Sequence, residues 1–81
     1  MRIDAFLNAV NIAKRRAMAL DMCKSKVVLI NGKVAKPSKE IVLGDKIEIE
    51  YLKGKKVYEV LKIPESRTTS KSKQDEYIKE I

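Results

Sequence analysis

Lys14, Arg15 and Arg16 follow one another directly, and they define the chemistry that this sequence offers. The residues around them read as a helix, with the triplet at its start. Three consecutive helical positions cover about 200° of the circumference, so at least two of the three are expected at the surface. Basic side chains at a helix N-terminus face the positive end of the dipole, which is unfavourable. A bound phosphate offsets this, because the side chains and the free N–H groups of the first turn both attract it. Phosphate binding is therefore the expected role of the triplet. Arg2 is expected to join the patch, since a short first helix keeps its two ends within about 12 Å. Lys33 and Lys36 flank a tight turn at Asn31-Gly32 and extend the surface. Taken singly, each also fits an ordinary exposed loop lysine.

Other chemistries lack their residues. The chain has no His and no Trp, and its one cysteine is Cys23. An internal disulfide, a Cys/His zinc cluster and a Ser-His or Cys-His nucleophile pair are all ruled out. Gly32, Gly44 and Gly54 stand too far apart for a glycine-rich phosphate loop. Glu48 and Glu50 share one strand face, which reads as a solvated face and not as a catalytic pair. Cys23 reads as a small buried apolar residue. Phe6, Tyr51, Tyr58 and Tyr77 are the aromatic residues, and none is interleaved with the triplet. Contact with the phosphates of a structured nucleic acid fits better than stacking of single-stranded bases. No enzymatic activity, cofactor or metal is expected.

The 81 residues suffice for one small domain, and 44% are hydrophobic. That share supports a folded core. The net charge of +7 is unevenly spread. Residues 1–26 carry six basic and two acidic side chains, and residues 51–64 carry four and one. The remaining two segments are neutral. Such concentration points to a polyanionic partner. The longest apolar run, Val27-Val28-Leu29-Ile30, falls far short of the roughly 20 residues that span a membrane. Asp4 and Asn8 interrupt any secretory leader. A cytoplasmic protein without a membrane contact is expected.

The elements that must position these side chains follow from periodicity. Ile3, Phe6, Leu7 and Val10 mark one face of a helix over residues 3–10, with Asp4 in its first turn and Asn11 at its end. A second helix is expected over about 13–24, with an apolar stripe of Ala19, Met22 and Cys23, and Met18 alongside. The small Ala13, Ala17 and Ala19 suit close helix packing. Val27–Ile30 then reads as a strand, Asn31-Gly32 as a type I′ turn and Val34-Ala35 as a return strand. Residues 36–45 read as a loop. Lys46–Leu52 alternates as a strand, with Ile47, Ile49 and Tyr51 on one face. Gly54 reads as a turn and Lys56–Ile63 as a further strand. Residues 65–74 hold no apolar side chain and are expected to be flexible, with a short helical turn near Tyr77, Ile78 and Ile81.

Taken together, these residues resemble a known family. Met1-Arg2-Ile3-Asp4-Ala5-Phe6-Leu7, Lys14-Arg15-Arg16 with Ala19, Val28-Leu29-Ile30-Asn31-Gly32-Lys33-Val34, Lys36-Pro37-Ser38 and Gly44-Asp45-Lys46-Ile47 resemble the RNA-binding domain first described in small-subunit ribosomal protein S-four. Within that superfamily the chain is similar to the stand-alone small members. These are the fifteen-kilodalton ribosome-associated heat-shock protein and its short relatives in ribosome quality control. The resemblance implies two helices packed on a small sheet that bind structured RNA. It also implies RNA contacts at Arg2, Lys14, Arg15, Arg16, Asn31, Gly32, Lys33 and Lys36. Two departures from the family pattern involve three positions. Lys26 stands where the family has a left-handed glycine before the first strand, and Asn8 and Asn11 replace residues that are often basic.

The expected fold is α+β, with two N-terminal helices on a small, mainly antiparallel sheet. An RNA-binding domain is expected over residues 1–64 and a flexible polar tail, with a short terminal helix, over 65–81. The expected function is non-enzymatic binding of ribosomal RNA or the large ribosomal subunit, with tRNA as a further partner, by a monomer. A protein–protein adaptor with a basic face and a DNA-binding module are the alternatives.

Overall fold

Ile3, Phe6, Leu7 and Val10 are fully buried, and their spacing sets the first element, helix α1 (Ile3–Ala9). The computed structural model describes residues 1–64 and 74–81. Asn11 has φ 63°, a left-handed conformation that ends the helix and turns the chain back. The Ala13 N–H then bonds to the Leu7 carbonyl at 2.9 Å, which places the fully buried Ala13 beneath the turn. Helix α2 spans Arg16–Lys24. It starts later than the expected residue 13, because the turn from Asn11 to Arg15 occupies those positions. Arg15 is extended, at φ −136° and ψ 152°, and caps the helix without a side-chain bond. The basic triplet therefore lies mostly ahead of the helix, with only Arg16 inside it. Ala19 and Cys23 of the expected stripe are buried, whereas Ala17 and Met18 are exposed.

The strands are β1 (Val28–Ile30), β2 (Lys33–Val34), β3 (Lys46–Tyr51), β4 (Gly54–Val60) and β5 (Ile78–Glu80). They form one sheet in the order β2-β1-β3-β4-β5, with every neighbouring pair antiparallel. Val28, Ile30, Ile47, Ile49, Val60 and Ile78 join the buried residues of both helices in a single apolar cluster. This is the expected α+β class. Asn31 (φ 52°) and Gly32 (φ 86°) join β1 to β2 with positive φ at both positions, as a type I′ turn requires. The return strand starts at Lys33, one residue earlier than expected. Gly54 is already part of β4, opposite Tyr51, so the second tight turn falls on Leu52-Lys53.

A short helix, α3 (Gln74–Tyr77), precedes β5. The expected helical turn near Tyr77, Ile78 and Ile81 lies earlier, at Gln74–Tyr77, and Ile78 belongs instead to a strand. Ile78 is buried opposite Val60, and that apolar pairing draws the C-terminal residues onto the sheet edge. Gln74 Nε2 also donates to the Val10 carbonyl at 2.5 Å. The expected flexible stretch, apart from Gln74, lies outside the described residues.

The end of α2 resolves the departure at Lys26. The Lys26 N–H bonds to the Cys23 carbonyl at 3.0 Å, and the Val27 N–H to the Met22 carbonyl at 3.3 Å. These two bonds are the Schellman pattern, which needs a left-handed residue. Lys26 occupies that position at φ 63°. A side chain there is disfavoured by about 1 kcal/mol relative to glycine. Lys26→Gly is expected to stabilise the fold by about 0.5–1 kcal/mol and to raise the melting temperature by a few degrees, read by thermal denaturation.

Candidate nucleic-acid interface

Asp4 lies at the centre of the basic residues and is only 2% exposed. Its carboxylate accepts the Ala5 N–H at 2.8 Å and Arg2 Nη2 at 3.2 Å. Arg16 Nε approaches the same oxygen as Arg2 does, at 3.6 Å. One carboxylate at the start of α1 thus gathers a cation from the chain terminus and a cation from the first turn of α2. The two guanidinium side chains remain 46% and 53% exposed. Each keeps donors free toward solvent while one side is anchored. Lys14 and Arg15 are exposed in the turn leading into α2.

The loop after β2 is bound to the same place through backbone bonds. The Ile3 N–H donates to the Lys39 carbonyl at 2.8 Å, and the Ile41 N–H to the Met1 carbonyl at 3.0 Å. The terminal ammonium pairs with Glu40 at 2.8 Å. This loop carries Lys36 and Lys39, both exposed. A groove of about 510 Å³ runs between loop and hairpin and is lined in part by Lys33, Lys36, Ser38 and Lys39. The structure therefore joins Arg2 and Arg16 through Asp4, and joins Lys33 and Lys36 across a groove.

Asn31 behaves differently. Its Nδ2 donates to Asp45 at 3.1 Å, and its Oδ1 accepts the Lys46 N–H at 3.1 Å. Asp45 in turn accepts the Val42 N–H at 2.9 Å. The Asn31 amide is thus engaged within the fold, and it fixes the hairpin against the start of β3. Gly32 and Lys33 are exposed beyond it.

Two residues of this surface escaped sequence reasoning. Asp4 read only as a dipole-compatible acid, and its pairing with Arg16 depends on the angle at which two helices meet. Lys39 lies three residues past Lys36, and no local pattern marks it. Cys23 is buried, and both desolvation and the nearby Asp4 charge raise its pKa, which keeps the thiol protonated. Among the described residues, no group of three or more His, Cys, Asp or Glu side chains comes together to hold a metal. No described helix is long and apolar enough to cross a membrane.

Comparison with known proteins agrees with this geometry. The S4 domain family matches residues 1–47. A Helicobacter pylori protein named RQC P-site tRNA stabilizing factor is 46% identical over 78 residues, covering 96% of this chain and 93% of the relative. A Bacillus subtilis protein of the same name is 31% identical over 74 residues, covering 91% and 83%. The trimeric structure of Vibrio cholerae heat shock protein 15 superposes with TM-score 0.91 at 28% identity, over 100% of this chain and 81% of that one. The solution structure of a hypothetical protein gives TM-score 0.87 at 43% identity, over 100% and 96%.

The Asp4 carboxylate should matter for stability as well as for placement. Asp4→Asn keeps the shape but removes the charge that holds two guanidinium groups. The expected loss is about 1–3 kcal/mol, the range for a weakened charge-assisted hydrogen bond at a buried acceptor, read from the urea midpoint at unchanged m-value.

Proposed function

The chain belongs to the S4 domain family, alongside the RQC P-site tRNA stabilizing factors, and on that premise we propose that it is a non-enzymatic, ribosome-associated RNA-binding protein. In this reading it works in the cytoplasm on the large ribosomal subunit and contacts ribosomal RNA and P-site tRNA. Arg2, Lys14, Arg15 and Arg16 hold phosphates. Gly32, Lys33 and Lys36 of the hairpin and loop set the orientation, while Asn31 holds the hairpin in place.

The observation that carries the reading is the shared carboxylate. Asp4 anchors Arg2 and Arg16 with half of each side chain still open to solvent. Two long cations held in place lose less side-chain entropy when a phosphate docks. Guanidinium groups also match phosphate geometry through paired N–H donors. The surface is built from loop backbone and helix ends, which favours reading the shape and phosphates of folded RNA over reading base edges.

The double variant Arg15→Ala with Arg16→Ala tests the assignment. It is expected to weaken binding to ribosomal RNA and to make the log–log salt slope shallower by about 1.5, since each lost phosphate contact removes about 0.7–0.9. Fluorescence anisotropy across a salt series measures both quantities, with circular dichroism as the folding control. Unchanged affinity in the folded variant would remove the triplet from the interface. Sedimentation of the tagged protein with ribosomal particles, followed by RNA cross-link mapping, locates the partner. Recovery only in the free fraction would favour a protein adaptor instead.

A further inference from the structure

Residues 51–56 carry Lys53, Lys55 and Lys56 and no acid. They form the turn between β3 and β4, with Leu52 and Lys53 at its tip. This tip is remote from the Asn31-Gly32 hairpin. β1 lies antiparallel to β3 with Ile30 opposite Ile47, so that hairpin stands beside the start of β3 and the tip lies beyond its end. A strand of this length separates the two by about 20 Å. The Glu50 N–H donates to the Val27 carbonyl at 2.9 Å, which brings the C-terminal end of α2, with Lys24 and Lys26, to the same end as the tip.

The tip combines charge with uncovered apolar surface. Leu52 is fully exposed and Tyr51 is 45% exposed. Tyr51 continues the face that Ile47 and Ile49 bury. Register places Lys56 and Tyr58 on that same face, opposite Ile49 and Ile47. A hollow of about 660 Å³ is lined by Tyr51, Leu52, Lys53, Gly54, Lys55 and Lys56. Lys55 lies 3.7 Å from Glu48, and Lys56 lies 3.9 Å from Glu80. Both lysines are more than half exposed, and ion pairs at such positions contribute little. Glu50 stands across from Lys55 and leaves the tip with a positive excess.

We infer that the β3–β4 tip is a second nucleic-acid contact, in which Lys53, Lys55 and Lys56 hold phosphates of an unpaired RNA segment while Tyr51 and Leu52 pack against an exposed base. The inference rests on the RNA-binding reading and adds a second grip at the opposite end of the sheet. Folded RNA presents unpaired segments in loops and bulges, where bases are free to stack on aromatic side chains. The charge of the tip supplies the attraction, and its apolar residues gain cover from the base.

Binding of a fluorescein-labelled ribosomal RNA hairpin with a single-stranded overhang, measured across a salt series, tests this. The triple variant Lys53→Gln, Lys55→Gln and Lys56→Gln is expected to bind about tenfold more weakly, with a slope shallower by about two. Leu52→Ser, at a fully exposed position, is expected to weaken binding a few-fold at unchanged slope. Wild-type affinity and slope in the triple variant overturn the inference. If Arg15→Ala with Arg16→Ala still loses binding in that assay, the RNA-binding reading stands without the second grip. No binding by the unaltered chain overturns both. Wild-type RNA affinity in the triple variant, with its loss from purified ribosomal particles, also overturns the inference and assigns the tip to a protein contact.

Discussion

The Asp4 carboxylate sits at the junction of the N-terminus, α1 and α2, and the basic surface takes its shape from that position. A buried charge is tolerable only when it is paired and hydrogen-bonded. Here the Ala5 N–H and two guanidinium groups meet that requirement. The same contacts restrain Arg2, which would otherwise be a free terminal side chain. They also restrain Arg16, which would otherwise project freely from the first turn of a helix. An acid inside a basic patch lowers the net charge, but it converts mobile cations into positioned ones.

Around that centre the backbone is set by a few residues in left-handed conformations. Asn11 ends α1, Lys26 ends α2, and Asn31 opens the hairpin. Asparagine tolerates this conformation because its short polar side chain bonds locally. The Asn31 amide bonds instead to Asp45 and Lys46, across the sheet from it. Lys26 has no such compensation and relies on the two Schellman bonds. The three reversals fold α1, α2 and the first hairpin back on one another. The loop carrying Lys36 and Lys39 can then bond to the N-terminal backbone.

The net charge also divides spatially. One basic group surrounds Asp4 and the groove beside the first hairpin. The other lies at the β3–β4 tip, past the far end of β3. A chain with positive ends and a mixed-charge sheet between them suits an extended polyanion better than a point ligand.

Much of this was legible in the residues themselves. The helical spacing of Ile3, Phe6, Leu7 and Val10, the Asn31-Gly32 turn and the alternation of Ile47 and Ile49 are local patterns, and each element stands near its expected place. The resemblance carried by the N-terminal motif and the basic triplet identified the family. The start of α2 was misplaced because Ala13 and Lys14 have ordinary helical propensity, while the Asn11 reversal that displaces them shows only in the fold. The strand at Ile78 was missed because three residues carry too little alternation, and its partner Val60 is remote in sequence. The pairing of Asp4 with Arg16 was likewise decided by tertiary structure. Local sequence determines which side chains face the core and where the chain turns. Only the packing of α1 against α2 determines which charges meet, because their distance depends on the crossing of two elements and not on spacing within either.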